Sequence, residues 1–199
     1  MKVPYLSNKD IELIAVKFRL EYWGKEIPVD IEIITEQKLN IKIIPISNLI
    51  KLASVDALIT SKWDAVFTDS FFYFEKENRF RFSLAHEIGH FILHKEIYES
   101  LGIENIKDYK NFFDNMSQDD YRFFESQANR FANYLLIPTD KLKKEIEGII
   151  KNNEEYKIFK EKESKINYLS CSLCNKFKVS EEPMTIAIKN LIKFSNIEI

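Results

Sequence analysis

The 199-residue chain is short of several features that usually steer a first reading. Cys171 and Cys174 are its only cysteines. One C-x-x-C cannot build a four-cysteine zinc site, and the pair reads as two reduced thiols in a helix. A dominant charge is also missing: 29 basic residues face 31 acidic ones, leaving a net charge of -2. That balance offers no general attraction to nucleic acid, although a local patch could exist. No apolar run reaches the length of a membrane-spanning helix. The opening ten residues lack the apolar core of a secretory signal, so a cytoplasmic protein with no membrane partner is expected. Internal repeats and low-complexity tracts are absent. Histidine is scarcer still and more informative: the chain has three. All of them, His86, His90 and His94, fall in one nine-residue span.

That span begins in Arg79-Phe80-Arg81-Phe82-Ser83-Leu84-Ala85-His86-Glu87-Ile88-Gly89-His90, an amphipathic stretch containing H-E-x-x-H. Positions i and i+4 of a helix share a face one turn apart. His86 and His90 can therefore meet one metal ion, with metal–nitrogen distances of roughly 2.0–2.1 Å. Glu87 lies beside them and can take a proton from water at the metal without being a ligand. A zinc site needs a third protein ligand. On a continuous helix His94 is two turns, roughly 12 Å, from His86, so three rings cannot easily converge. Motifs that recruit a third histidine bend the chain at a glycine. Here none follows His90 until Gly102. His94 is read as packing or as an outer partner of a ligand. The favoured third ligand is Glu125, in a helix expected between a capping pair, Ser117 with Asp120, and the stop at Pro138. Phe124, Ala128, Phe131, Ala132 and Leu135 mark its apolar face. Asn129, one turn beyond Glu125, is placed to hydrogen-bond a ligand histidine.

R-x-R-F-S-L-A-H-E-I-G-H-x-x-L-H followed by E-x-Q-A-N-x-F-A-x-x-L-L-x-P resembles the ImmA/IrrE family of intracellular zinc metallopeptidases. The residues that carry the likeness run from Arg79 to His94 and from Glu125 to Pro138. Weaker agreement at Ile11, Glu12, Ala15, Ile27 to Ile31 and Ile41 to Ile44 extends it from about residue 10 to about residue 140. The resemblance implies zinc bound by His86, His90 and Glu125, with Glu87 as catalytic base. It also implies a protein substrate: similar proteins cleave or regulate helix-turn-helix repressors in mobile-element, stress or defence circuits. The oxyanion of such a reaction needs a donor besides zinc, for which Tyr121 and Tyr134 are unranked candidates. The alternative is a zinc-containing interaction module that regulates a repressor by binding. An unliganded Glu87 speaks against that, because a structural zinc site has no use for it.

The expected fold class is α+β. By the resemblance, residues 1–140 form a zincin-like metallopeptidase domain with a small mixed sheet packed on the H-E-x-x-H helix, and residues 141–199 a helical extension. Helices are expected over Asn8 to Tyr22 and from Asp30 towards Leu39. Strands are expected over Ile41 to Ile46, at an edge because of Pro45, over Asp56 to Thr60 and over Ala65 to Glu75. Phe67, Phe71, Phe72, Tyr73 and Phe74 would wall the motif helix. The connection from Lys95 to Tyr121 is long. Its portion from Gly102 to Met116, with Tyr109, Phe112 and Phe113, predicts helical turns bordering the site. Helices near Lys141 to Ile150 and Glu154 to Ser164 precede a pattern like a helix-turn-helix, from Leu169 to Leu191. As a DNA reader it is poorly equipped, since its second helix carries only Lys189 and Lys193 as cations.

Overall fold

The computed structural model describes residues 3–194, without the side chains of residues 113–115, so Phe113 lies outside the described residues. The chain opens with α1 (Asn8–Tyr22), closed at its start by a capping box between Ser7 and Asp10. The Asp10 carboxylate accepts from the Ser7 backbone, satisfying a donor that the helix leaves over. Asp30 then caps the single turn α2 (Ile31–Ile33), which continues as a π-helical turn over Ile34–Lys38. Three strands follow, with α3 (Leu49–Ala53) between the first two: β1 (Lys42–Ile46), β2 (Ala57–Ile59) and β3 (Ala65–Asp69). Their order is β1-β3-β2. β1 runs parallel to β3, pairing Ile44 with Phe67, and β2 runs antiparallel to it, pairing Leu58 with Phe67. Pro45, which has no N–H to donate, accordingly sits on an edge strand.

The expectation of a strand from Ala65 to Glu75 is corrected. β3 stops at Asp69, and α4 (Ser70–Glu75) begins there. Asp69 causes the switch: Oδ1 accepts the Phe71 N–H as a helix cap, and Oδ2 accepts the Ile50 N–H. An aromatic run with strand propensity is thus overridden by a cap. The aromatic wall is corrected in part: Tyr73 does pack on Phe80 of the motif helix, at 5.0 Å between rings. Phe72 is buried and carries the Arg79 guanidinium over its ring, whereas Phe71 and Phe74 are exposed.

Helix α5 (Glu77–Leu93) carries the histidine motif and α8 (Gln118–Leu136) carries Glu125. Between them lie α6 (Lys95–Leu101) and α7 (Ile106–Asn115), so the long connection is helical. Ser117 caps α8 by accepting the Asp120 N–H. Phe124, Ala128, Phe131, Ala132 and Leu135 are all buried, as an apolar face at helical spacing requires. Gly89 sets how closely α5 and α8 approach. A Cβ there would lie 3.1 Å from the Ala128 Cα and carbonyl oxygen.

After Pro138 come α9 (Thr139–Asn152), α10 (Glu154–Ile158), α11 (Lys162–Phe177) and α12 (Glu181–Phe194). The helix expected over Glu154 to Ser164 is therefore two pieces. No glycine or proline marks the break: Tyr168 packs against both Tyr156 and Phe159, and Phe159 itself turns to extended backbone. Ile166, Leu169, Leu173 and Phe177 of α11 are buried, as are Met184, Ala187, Ile188 and Leu191 of α12. The turn between these helices is tied to the motif helix. Arg81 Nε donates to the Lys178 carbonyl and Asn78 Nδ2 to the Val179 carbonyl, both at 3.2 Å. Arg81 also donates to the Val29 carbonyl, and Asn133 Nδ2 to the Pro183 carbonyl at 2.9 Å. Among the described residues no helix is long and apolar enough to cross a membrane.

Candidate metal centre

α5 presents His86 and His90 one turn apart, and α8 brings Glu125 against them. His86 Nε2 and His90 Nε2 are 2.9 Å apart. Glu125 Oε2 is 3.2 Å from His86 Nε2, and Oε1 is 3.6 Å from His90 Nε2. Donor atoms roughly 2.0–2.1 Å from a tetrahedral zinc ion stand about 3.3 Å from one another. The observed separations of 2.9, 3.2 and 3.6 Å bracket that spacing. Two imidazoles and one carboxylate are also a donor set that zinc accepts. Among the described residues these three are the one group of histidine, cysteine or carboxylate side chains so gathered. His86, His90 and Glu125 thus fit a metal, and His94 is outside the group.

The outer contacts explain how the rings are aimed. His86 Nδ1 meets Asn129 Oδ1 at 3.0 Å, the contact expected of Asn129. His90 Nδ1 meets His94 Nδ1 at 2.9 Å, and His94 Nε2 meets Gln127 Oε1 at 3.0 Å. The Phe124 ring stacks on His90 and on His94, each at 4.3 Å. Tyr98, from the connecting helix α6 and ahead of the segment expected there, lies 5.5 Å from the His90 ring. Within Gly102 to Met116, Phe112 meets the edge of the Phe124 ring that stacks on His90, at 6.0 Å.

Glu87 is buried and stays out of the ligand group. Its Oε2 accepts the Ile59 N–H at 2.8 Å, which ties the motif helix to strand β2. Burial pushes the Glu87 carboxyl up to about 7, with the Glu125 charge adding to it and His86 and the Ile59 bond opposing. Burial works against a charge on His86 too, but the hydrogen bond and charge of Glu125 prevail and raise it to about 9. His90 goes the other way, to about 4, because burial is joined by the neighbouring His86 charge. His94 falls to about 3 through burial and the adjacent His90. Burial favours a neutral Glu125, yet the hydrogen bonds and charges of His86 and His90 hold it well below the usual carboxylate range. A carboxylate held ionised between two imidazoles is suited to a cation placed among them.

Two cavities lie along α8, neither of them lined by His86, His90, Glu87 or Glu125. One of about 1150 Å³ reaches Asn129, one turn after Glu125, and is walled by Asp56, Ser83, Asn133, Tyr134 and Glu182. Another of about 440 Å³ reaches Tyr121, one turn before Glu125, with Val55, Tyr109 and Met116. Of the two oxyanion candidates, Tyr121 is one turn before Glu125 on α8, whereas Tyr134, nine residues beyond it, lies on the opposite face of that helix, in a cavity shared with Glu12 and Leu142. Sequence reasoning missed three participants. The Ile59 N–H is a main-chain group with no sequence signal. Tyr98 was hidden in the long connection. Gln127 had a signal in hand, two residues after Glu125 inside the second motif, but was given no role.

The family model described as the IrrE N-terminal-like domain, a peptidase family, matches residues 75–188, which include both motifs. No curated protein matches the chain.

Proposed function

Since the chain belongs to the IrrE N-terminal-like peptidase family, the ImmA/IrrE family that its motifs resemble, we propose that it is a cytoplasmic zinc-dependent endopeptidase. A metallopeptidase family implies a metal and a protein substrate. The observation that carries the finer reading is the convergence of His86, His90 and Glu125 beside a buried Glu87 that is outside their group. Two imidazoles and a glutamate, the gluzincin-like set, leave a coordination position open. Zinc held there would polarise water and the scissile carbonyl.

The remaining steps belong to the chain's own residues. Glu87 is held through Oε2 by the Ile59 N–H, leaving Oε1 to accept the proton of the attacking water. The same oxygen then delivers it to the departing amine. Tyr121 shares the face of Glu125 one turn before it, and Tyr134 is on the opposite face of α8, so Tyr121 is the candidate to donate to the oxyanion.

The substrate we propose is a DNA-binding repressor of the helix-turn-helix type. In this reading residues 1–140 carry the chemistry and residues 141–199 form an appended helical unit that does not read DNA itself. Supporting this, the α11–α12 turn is engaged by Arg81 and Asn78, and Lys189 is paired with Glu163 at 2.6 Å. A recognition helix needs that end and such cations free for a groove and phosphates. The test is to incubate the zinc-loaded protein with the helix-turn-helix regulator encoded beside it and examine the products by mass spectrometry. A discrete fragment that a chelator abolishes is expected. A regulator that is bound and altered in DNA affinity while staying intact would replace this reading with the interaction module.

A further inference from the structure

Behind His90 three groups are linked in series, away from the ligand face. Gln127 Nε2 donates to the main-chain carbonyl of Pro4 at 2.8 Å, and Gln127 Oε1 faces His94 Nε2 at 3.0 Å. His94 Nδ1 faces His90 Nδ1 at 2.9 Å. His90, His94 and Gln127 are each at most 2% exposed, so water cannot substitute for the two contacts among them. Pro4 is exposed, and its carbonyl is the partner that Gln127 Nε2 holds.

The direction of every bond follows from its far end. A carbonyl oxygen can only accept, so the nitrogen of Gln127 faces Pro4 and its oxygen faces His94. That oxygen can only accept, so His94 carries its proton on Nε2. A neutral imidazole has one proton, which leaves His94 Nδ1 as a lone pair. His90 must then donate from Nδ1, and its Nε2 is left bare towards His86 and Glu125. We infer that His94, Gln127 and the Pro4 carbonyl form a relay that fixes His90 in the tautomer able to bind a metal through Nε2. The inference rests on the zinc reading above and adds positioning residues to it.

The opposite tautomer has no comparable solution. A proton on His90 Nε2 would require His94 to donate from Nδ1 and to accept at Nε2. Gln127 would have to turn its nitrogen to His94 and its oxygen to Pro4, bringing two oxygens together at 2.8 Å. Stacking of Phe124 on both rings holds their planes while the hydrogen bonds choose the tautomer. His86 differs: its partner Asn129 is exposed, so water can replace that contact.

The experiment compares zinc affinity, by competition with a chromophoric chelator, for full-length wild type, His94→Leu, His94→Gln, Gln127→Leu, Asn129→Ala and Glu125→Ala. His94→Leu is expected to weaken zinc binding about 10–100-fold, as loss of an outer partner does. His94→Gln should restore most of it, because its amide oxygen can accept from His90 Nδ1. Gln127→Leu should weaken binding in the same direction, and Asn129→Ala by less than His94→Leu. Long-range proton–nitrogen correlation on the zinc-loaded wild type should show His94 as the Nε2–H tautomer, a readout that needs no variant to fold. An Nδ1–H tautomer at His94, or unchanged affinity in His94→Leu, overturns the relay. If Glu125→Ala loses zinc while His94→Leu keeps it fully, the relay fails and the zinc site stands. A wild type that binds no zinc removes both.

Discussion

Replacing Gly89 with alanine probes the packing that lets Glu125 reach the histidines. The new methyl would lie 3.1 Å from the Ala128 Cα and carbonyl oxygen and 3.3 Å from the Phe131 ring. Comfortable carbon contacts begin near 3.5 Å, so α8 must retreat by about 0.4 Å. Two of those atoms are backbone, which cannot swing aside as a side chain does. Overpacking of this kind costs about 1–3 kcal/mol. Alanine recovers about 0.5–1 kcal/mol over glycine inside a helix. The net loss is about 0–2.5 kcal/mol, and each kcal/mol lowers the Tm of a protein this size by about 2–4 °C. Metal binding should suffer more than folding. Glu125 lies one turn before Ala128, and coordination distances tolerate shifts of only about 0.2 Å. The measurements are thermal unfolding of metal-free protein and a chelator competition for zinc. Gly89→Ala is expected to unfold a few degrees lower and to bind zinc at least tenfold more weakly, roughly the scale of losing an outer partner. A variant that melts higher than wild type and holds zinc as tightly would refute the close approach.

Two further outcomes test separate parts of the account. Wild type should carry about one zinc per chain by elemental analysis, as a single three-ligand site requires, and Glu125→Ala should lose most of it; full zinc in that variant would remove Glu125 from the ligand set. Glu32 should act on stability through pH. Burial raises its carboxyl, the Asp30, Glu77 and Glu36 charges add to this, and Arg81 opposes. A raised folded-state pKa means that the native state binds the extra proton, so stability is greatest below the unfolded value and declines as pH rises through the folded one. Glu32→Gln should therefore gain more Tm over wild type at about pH 7 than at about pH 3, where the carboxyl is neutral both folded and unfolded. An equal difference at the two pH values would show that Glu32 is not strained by ionisation.

Much of the candidate site was legible because helical periodicity converts spacing directly into shared faces. His86 with His90, and Glu125 with Asn129, are i, i+4 pairs, and the structure puts the second pair against the first. His94 was legible for the same reason, as a residue out of ligand reach but adjacent to His90. Where a cap or tertiary packing competes with local propensity, the sequence misleads. Phe71 to Phe74 look like a strand until the Asp69 side chain takes the Phe71 N–H. The helix break after Ile158 has no local marker; Tyr168, ten residues further along, packs against both Tyr156 and Phe159 there. Main-chain contributions such as the Ile59 N–H and the Pro4 carbonyl leave no trace in residue identity. Gly89 is similar: an absent side chain tells little until the backbone it admits is seen.

The central claim is that this protein cuts its partner with Glu87 as base, and Glu87→Gln tests it most directly. The substitution removes the carboxylate while nearly keeping its size, and it alters no proposed ligand. Its amide oxygen can still accept the Ile59 N–H that Glu87 holds at 2.8 Å. Zinc content and folding should match wild type. Loss of the base should slow cleavage by about 10²–10⁴, so in a side-by-side assay the variant should bind the repressor and leave it intact. A zinc-replete Glu87→Gln protein that cleaves or regulates its target as well as wild type would contradict the account.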